Sequence, residues 1–266
     1  MTDLVRVGRA FDGGYVLPAR AVLRCTHLIG MGISDDWSFE EDVLSQNPLV
    51  QLVGLDGTVS AGRFGVGALS KLTLALKSLL QGRISQFERA LLEAKWSAIT
   101  AIKFLRFFAR GNREFIQKMV RAEASPDGIT WKEALARLHS VGNSTKSILV
   151  KMDIEGGEYA ILPELLKESD EVSLLIVEFH DCGARWTDFQ AIIAEICRCF
   201  TVVHVHGNNY IPLIPSTNVP EVLEISFLRS SLLTKSDELA TQPVKYPLTE
   251  LDQPNDPARP DYSLAF

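Results

Sequence analysis

The sequence predicts an α/β fold with an open, mostly parallel sheet that closes with an antiparallel strand. Apolar runs of strand length end in glycine or acidic residues and are followed by apolar residues at helical spacing, as in doubly wound sheets. This alternation is interrupted once by helical periodicity alone. The predicted organisation is a core of residues 1–62 and 124–230, a basic helical insertion at 63–123, and an extended proline-rich tail at 231–266.

Composition is that of a globular chain. Of the 266 residues, 46% are hydrophobic, which is enough to build a full core. Neither an apolar run of about 18 residues nor the apolar region of a signal peptide is evident, so we expect a cytoplasmic protein. The four cysteines lack CxxC spacing, which favours free thiols over a zinc site.

Charge is distributed unevenly. The net charge is −6, yet residues 63–123 hold twelve basic and four acidic side chains, a local charge of +8. The charge of the insertion indicates either a solvated basic face or a basic cap over the ligand-binding edge of the sheet. As a cap it would dock on an anionic acceptor or make peripheral membrane contact. No nucleic acid partner is expected, and homo-oligomerisation stays open.

Two glycine signals lie near the start of the chain. Asp12-Gly13-Gly14-Tyr15 predicts a sharp turn in a hairpin. Gly30-Met-Gly32 follows an apolar strand and precedes a helix, so the backbone there can approach a ligand closely. A second strand ends at Asp56, about 24 residues after Gly32, near the spacing at which a carboxylate accepts hydrogen bonds from ribose hydroxyls.

The stretch Ser147–Leu162 carries the most informative motif. The apolar strand at Ile148–Met152 ends in Asp153 and Glu155, and two glycines precede a helical pattern. Carboxyl ends of parallel strands form the ligand-binding edge of such sheets, so both acids are candidate site residues. The alternative is that Asp153 only caps the helix.

Glu178, His180 and Asp181 end the next strand. His180 is a candidate general base, and Asp153 is a candidate to orient it or to take the proton itself. The alternative for His180 is a hydrogen-bonded histidine at a strand end. A divalent metal such as magnesium is a further possibility, held by Asp153, Glu178, His180 and Asp181, because oxygen ligands suit hard cations.

These motifs, in this order on successive strand ends, resemble the FkbM-type S-adenosylmethionine-dependent methyltransferases. Asp153-Ile-Glu-Gly-Gly-Glu158 carries the resemblance most strongly, and it covers roughly residues 6–60 and 127–228. It implies a class I methyltransferase, or Rossmann-like, fold and O-methylation of a sugar or another small hydroxylated metabolite. The candidate catalytic residues are Asp153 and His180. The candidate cofactor-binding residues are Asp12, Gly13, Gly14, Tyr15, Gly30, Gly32, Asp35, Phe39, Glu40, Asp56, Asp153 and Glu155.

Two other functions stay open at this point. A nicotinamide-dependent oxidoreductase would use the same kind of fold, although the missing third glycine disfavours it. A non-catalytic binding module would use the basic insertion as its functional surface.

Overall fold

The computed structural model describes residues 3–139, 146–215, 217–237 and 240–266. Its strands are β1 Leu4–Gly8, β2 Gly14–Pro18, β3 His27–Met31, β4 Gln51–Leu55, β5 Arg113–Ile116, β6 Met119–Val120, β7 Gly128–Ile129, β8 Ile148–Met152, β9 Val172–Phe179, β10 Phe200–Gly207, β11 Leu223–Arg229, β12 Lys245–Tyr246 and β13 Leu264–Ala265. Its α-helices are α1 Ala19–Arg24, α2 Ser38–Gln46, α3 Ala61–Leu80, α4 Ile84–Phe108, α5 Trp131–His139, α6 Glu158–Lys167 and α7 Trp186–Ile196.

Seven strands form the central sheet in the order β10-β11-β9-β8-β3-β4-β5. All are parallel except β11, which runs antiparallel to both of its neighbours. The predicted fold class, a class I methyltransferase arrangement with a final antiparallel strand, is confirmed. The chain builds outward from β3 on one side and from β8 on the other, so a topological switch point lies between these two strands. Ligands bind outside the carboxyl ends of the strands at such a point.

The sheet is buried on both faces. Every residue of β3, β8 and β9 is buried, as expected for parallel strands covered by helices on each side. One core cluster includes Trp131, Leu162 and Phe189 from the helices on one face, and a second includes Val22, Phe39 and Phe104 on the other. The predicted hairpin also forms, with β1 and β2 pairing antiparallel.

The helical insertion differs from its predicted extent. Helices α3 and α4 form an antiparallel hairpin over residues 61–108, whereas Arg113–Ile116 is the edge strand of the sheet. The predicted range of 63–123 therefore ends too late. The sequence did not predict β5 because this edge strand has only four residues, which pair with one neighbour, β4. Among the described residues, no helix is long and apolar enough to cross a membrane.

The C-terminal segment packs against the body of the protein and does not simply run along its surface as predicted. Its Asp252 and Asp261 bond to His204 and His206 of β10, at 3.1 and 3.0 Å, and Asn255 is buried. Tyr246 of β12 also packs edge-on against His204. Buried imidazoles offer this segment partners that its proline content does not reveal.

Candidate functional site

Two adjacent cavities lie at the carboxyl ends of β3, β4 and β8. The first has a volume of about 340 Å³ and the second about 170 Å³. They share Gly32, Ser34, Asp153 and Glu155, so they form one continuous cleft. This cleft lies at the topological switch point, where the fold predicts a ligand.

Gly32 forms the floor of the cleft at the end of β3. Its φ is +78°, and a Cβ atom there would overlap the backbone carbonyl oxygen of Asp153. Only glycine meets both conditions without strain, so the close approach of the β3 and β8 loops depends on it. The predicted glycine turn is therefore present, with Gly32 as its essential residue.

The larger cavity combines an apolar wall with one carboxylate. Leu55, Met119, Val120 and Ile154 provide apolar surface, and Asp56 lies at the end of β4. Asp56 Oδ1 accepts bonds from Thr58 N and Thr58 Oγ1, both at 2.6 Å, while Asp56 Oδ2 accepts a bond from Ser34 N at 2.8 Å. Since a carboxylate offers about four acceptor sites, Oδ2 retains capacity for a ligand hydroxyl.

His180 is oriented by Glu158, which the sequence analysis left without a role. His180 Nδ1 lies 3.2 Å from Glu158 Oε1, and the Glu158 side chain is fully buried at the start of α6. The same Glu158 oxygen accepts the backbone N–H groups of Ile154 and Gly156. Asp153 was predicted to orient the ring, but its Oδ1 lies 4.0 Å from His180 Nε2, beyond hydrogen-bond distance.

The carboxylates around His180 hold its proton. Burial alone would lower the pKa of the ring, but the hydrogen bond to Glu158 and the charges of Glu178, Glu158 and Asp153 raise that pKa to about 9. At neutral pH the ring is therefore an imidazolium, with Nδ1 directed to Glu158 and Nε2 lying 3.5 Å from Glu155 Oε2.

The predicted metal ligands converge only in part. Ligand-type atoms of Asp153, Glu155 and His180 lie within 4.8 Å of one another, so Glu155 takes a place that was predicted for Glu178 and Asp181. Glu178 instead accepts bonds from Tyr15 and Asn208 below the cleft. A divalent ion among the three converging groups would have to displace the proton from His180.

Buried polar groups support the cleft from below. Burial and the neighbouring charge of Asp153 raise the pKa of Glu178 well above its usual range. Lys151 is also buried and donates to the carbonyl oxygen of Gly32 at 3.0 Å. Burial lowers the pKa of Lys151, but the charges of Asp153, Glu40 and Glu178 outweigh this effect and raise it. Lys151 therefore remains a cation that holds the β3 and β8 loops together.

Most predicted cofactor residues line the cleft. Asp56 lines the larger cavity, Gly32, Asp153 and Glu155 line both, and the smaller is also lined by Asp12, Gly13, Tyr15, Asp35 and Phe39. Three predicted residues, Gly14, Gly30 and Glu40, line neither cavity. Gly30 leaves room for the buried Glu40, since a Cβ atom at Gly30 would meet the Glu40 carboxylate.

Several residues of the site were missed in the sequence. Met119 and Val120 line the larger cavity from β6, but a two-residue strand carries no periodic signal. Lys151 did carry a signal, since a lysine inside an apolar strand requires an anionic partner. Of the predicted cap at 63–123, Met119 and Val120 line the larger cavity, whereas no residue of its helical part at 63–108 is among the described residues that line either cavity.

The strand order is that of a class I methyltransferase fold, and the cleft lies at its topological switch point. No protein-family model and no curated protein matches the sequence. Among solved structures, the chain is similar to a precorrin-6Y C5,15-methyltransferase from Geobacter metallireducens GS-15, with 8% identity, a TM-score of 0.35, and coverage of 79% of this chain and 87% of that one.

It is also similar to a point mutant of a 16S rRNA (adenine(1408)-N(1))-methyltransferase from Catenulisporales acidiphilia. That match has 14% identity, a TM-score of 0.29, and coverage of 88% of this chain and 100% of that one. The fold class rests on the strand order and not on these likenesses. Membership of the FkbM-type family stays a prediction.

Proposed function

We propose that this protein is an S-adenosylmethionine-dependent O-methyltransferase that acts on a hydroxyl group of a small, hydroxyl-rich metabolite such as a sugar. The observation that carries the proposal is the single cleft in which Gly32, Asp56 and Asp153 meet, with His180 beside Asp153. A nucleoside and a reactive centre need this combination of features in one place.

The residues of the larger cavity fit a nucleoside. Its apolar wall, which includes Leu55 and Met119, suits the faces of a purine base, and Asp56 Oδ2 suits a ribose hydroxyl. The Gly32 turn leaves room for the backbone to approach the ligand. When bound, S-adenosylmethionine would supply an electrophilic methyl group on a sulfonium, and the carboxylates of Asp153 and Glu155 would favour that positive charge.

His180 is the best placed base for the acceptor hydroxyl. Glu158 holds Nδ1, so Nε2 is the nitrogen on the side of Asp153 and Glu155, which both line the cleft. Once Nε2 has lost its proton it can accept the proton of a hydroxyl group, and the neighbouring carboxylates stabilise the imidazolium that forms. Positioning of the hydroxyl supplies much of the remaining rate.

The chemistry of the cleft favours a neutral acceptor. Asp153 and Glu155 line the cleft beside His180, and carboxylates accept hydrogen bonds from hydroxyl groups. An anionic acceptor was expected from the basic insertion. Among the described residues of the insertion at 63–123, the two that line the cavities are Met119 and Val120, which are uncharged, so the insertion brings no basic side chain to the cavity walls.

Titration calorimetry with S-adenosylmethionine and with its demethylated product tests the proposal. We expect both to bind, and we expect Asp56→Ala to weaken binding by about tenfold or more, since a charge-assisted hydrogen bond is worth about 1.5–3 kcal/mol. The matched control is Asp170→Ala, an exposed aspartate that precedes the amino end of β9. Absence of binding by either compound at about 1 mM would refute the cofactor assignment.

Acceptor class is tested separately with labelled cofactor. Neutral monosaccharides and polyols should accept the methyl group better than their phosphorylated forms. A preference for the phosphorylated forms would contradict the electrostatic argument for a neutral acceptor.

A further inference from the structure

The helical hairpin Ala61–Phe108 is anchored to the body at its base. Phe104, Phe107 and Phe108 near the end of α4 pack against Trp37 and Phe115, with Phe104 and Phe115 centroids 4.8 Å apart. At 1.5 Å per residue, the 25 residues of α4 span roughly 37 Å. Most of the hairpin is thus available for a partner outside the core.

In the part of the hairpin beyond its anchored base, the pattern of buried and exposed side chains is the reverse of that in an ordinary surface helix. Its buried residues are small: Ala75 and Ser78 on α3, and Ala90 and Ala94 on α4. The large apolar side chains are exposed instead, including Leu80, with 89% of its surface accessible. A surface helix of a globular domain places its apolar stripe against the core, so this stripe indicates an interaction surface.

The exposed apolar residues concentrate on this hairpin. It holds thirteen of the twenty-two large apolar side chains that are exposed in the part of the chain that the structure describes. On α3 the residues at positions 66, 69, 72, 76, 79 and 80 recur at helical spacing and form one stripe, and Leu74 lies outside it. The thirteen residues are Val66, Leu69, Leu72, Leu74, Leu76, Leu79, Leu80, Ile84, Leu91, Leu92, Trp96, Ile102 and Leu105.

Basic side chains accompany this apolar surface. Residues 61–108 contain eight basic and two acidic side chains, so the hairpin carries 8 − 2 = +6 while the rest of the chain carries −12. The exposed basic residues are Arg63, Lys77, Arg83, Arg89, Lys95, Lys103 and Arg106. If a second copy of the hairpin were the partner, two surfaces of charge +6 would face and repel each other. An anionic bilayer satisfies both features, because its acyl boundary takes the leucines and its headgroups take the cations.

We propose that the hairpin Ala61–Phe108 is a docking arm that lies in the interface of an anionic lipid bilayer and holds the methyltransferase body at the membrane surface. Leu80 and Ile84, on either side of the hairpin tip, enter the acyl boundary. Lys77, Lys95 and Arg106 contact lipid phosphates or carboxylates. The surface is separate from the cleft, so docking does not depend on the function proposed above.

Vesicle co-sedimentation of the full chain tests this inference. We expect binding to phosphatidylcholine vesicles that contain about one third phosphatidylserine, and binding at least about tenfold weaker to phosphatidylcholine alone. Replacing Lys77, Lys95 and Arg106 together by Gln should weaken binding on the order of 100-fold, at about fivefold per charge. Binding of the unmodified protein should also fall as salt rises.

Apolar contact is tested with a matched pair of variants. Leu80→Glu combined with Ile84→Glu should abolish vesicle binding, whereas Leu49→Glu should not, although Leu49 is 85% exposed on the body of the protein. Trp96 is 63% exposed and the only tryptophan in the described residues with this much exposure, so its emission should shift to shorter wavelength on binding. Trp96→Phe should remove that shift.

Two outcomes would overturn the inference. One is the absence of binding to the mixed vesicles while circular dichroism and thermal unfolding show a folded chain. The other is a dimer, seen by sedimentation equilibrium, that dissociates in the Leu80→Glu and Ile84→Glu variant. That result would assign the apolar stripe to a second copy of the chain.

Discussion

His206 should make the stability of this protein depend on pH in the alkaline range. The residue is 3% exposed, and its ring lies between two carboxylates, with Nδ1 at 3.2 Å from Glu224 and Nε2 at 3.0 Å from Asp261. Burial lowers the pKa of His206, but the bonds to Asp261 and Glu224 outweigh it and raise the pKa to about 10. Only the imidazolium can donate to both carboxylates at once.

The magnitude follows from the difference between the folded and unfolded pKa values. A rise from 6.5 to about 10 corresponds to about 5 kcal/mol, at about 1.4 kcal/mol per pH unit. Because the folded pKa is the higher one, this contribution is fully present below about pH 6.5 and is lost as the pH rises through about 10. Integration between about pH 7 and about pH 10 gives a loss on the order of 3 to 4 kcal/mol from the free energy of unfolding.

Urea unfolding at several pH values measures this loss. His206→Gln should lower the free energy of unfolding most at low pH. The difference in this free energy between the variant and the unmodified protein should shrink as the pH rises. That double difference separates His206 from other groups that titrate in the same range. The matched control is Lys167→Gln, which removes an exposed ion pair to Glu164 and should leave the pH dependence unchanged.

The bond between His206 and Glu224 also supports the wall of the cleft. Glu224 also accepts a bond from Asn255 Nδ2 at 2.7 Å, and Asn255 reaches Asp12 at 3.2 Å, beside the smaller cavity. The free energies of unfolding of His206→Gln and of the unmodified protein could instead differ by the same amount from about pH 6 to about pH 10. That result would refute the claim that a protonated His206 binds both carboxylates.

Two further outcomes test the cleft. Asp153→Asn and His180→Ala should each lower kcat by about 100-fold or more, and His180→Ala should leave cofactor affinity little changed because His180 does not line the cavities. In the unmodified enzyme kcat/KM should rise with pH up to an apparent pKa of about 9, and Glu158→Gln should lower that apparent pKa. Unchanged turnover in both variants, or a flat pH profile, would remove these residues from the chemistry. Gly32→Ala should abolish cofactor binding in calorimetry because its Cβ atom would overlap the Asp153 carbonyl oxygen. The control Gly111→Ala has open space around its Cβ atom and should bind the cofactor normally. Normal binding by Gly32→Ala would contradict the argument that the β3 and β8 loops approach closely only with glycine at this position.

The sequence by itself determined the sheet and the edge at which the site forms. Gly32, Asp56 and Asp153 each end a buried strand, and parallel strands that share a direction bring their carboxyl ends to one edge. The closing antiparallel pair, β10 and β11, was equally visible from its alternating pattern. These features are local, because strand length, burial and turn residues are encoded within each segment.

Only the tertiary structure decided which side chains meet. Glu158, not Asp153, orients His180, and Glu155 replaces Glu178 in the polar cluster, because these distances depend on how two loops pack together. The C-terminal segment packs on β10 because buried His204 and His206 supply partners for its carboxylates. The hairpin leaves the cleft open because aromatic contacts at its base direct it to another face, and helical periodicity alone does not specify direction.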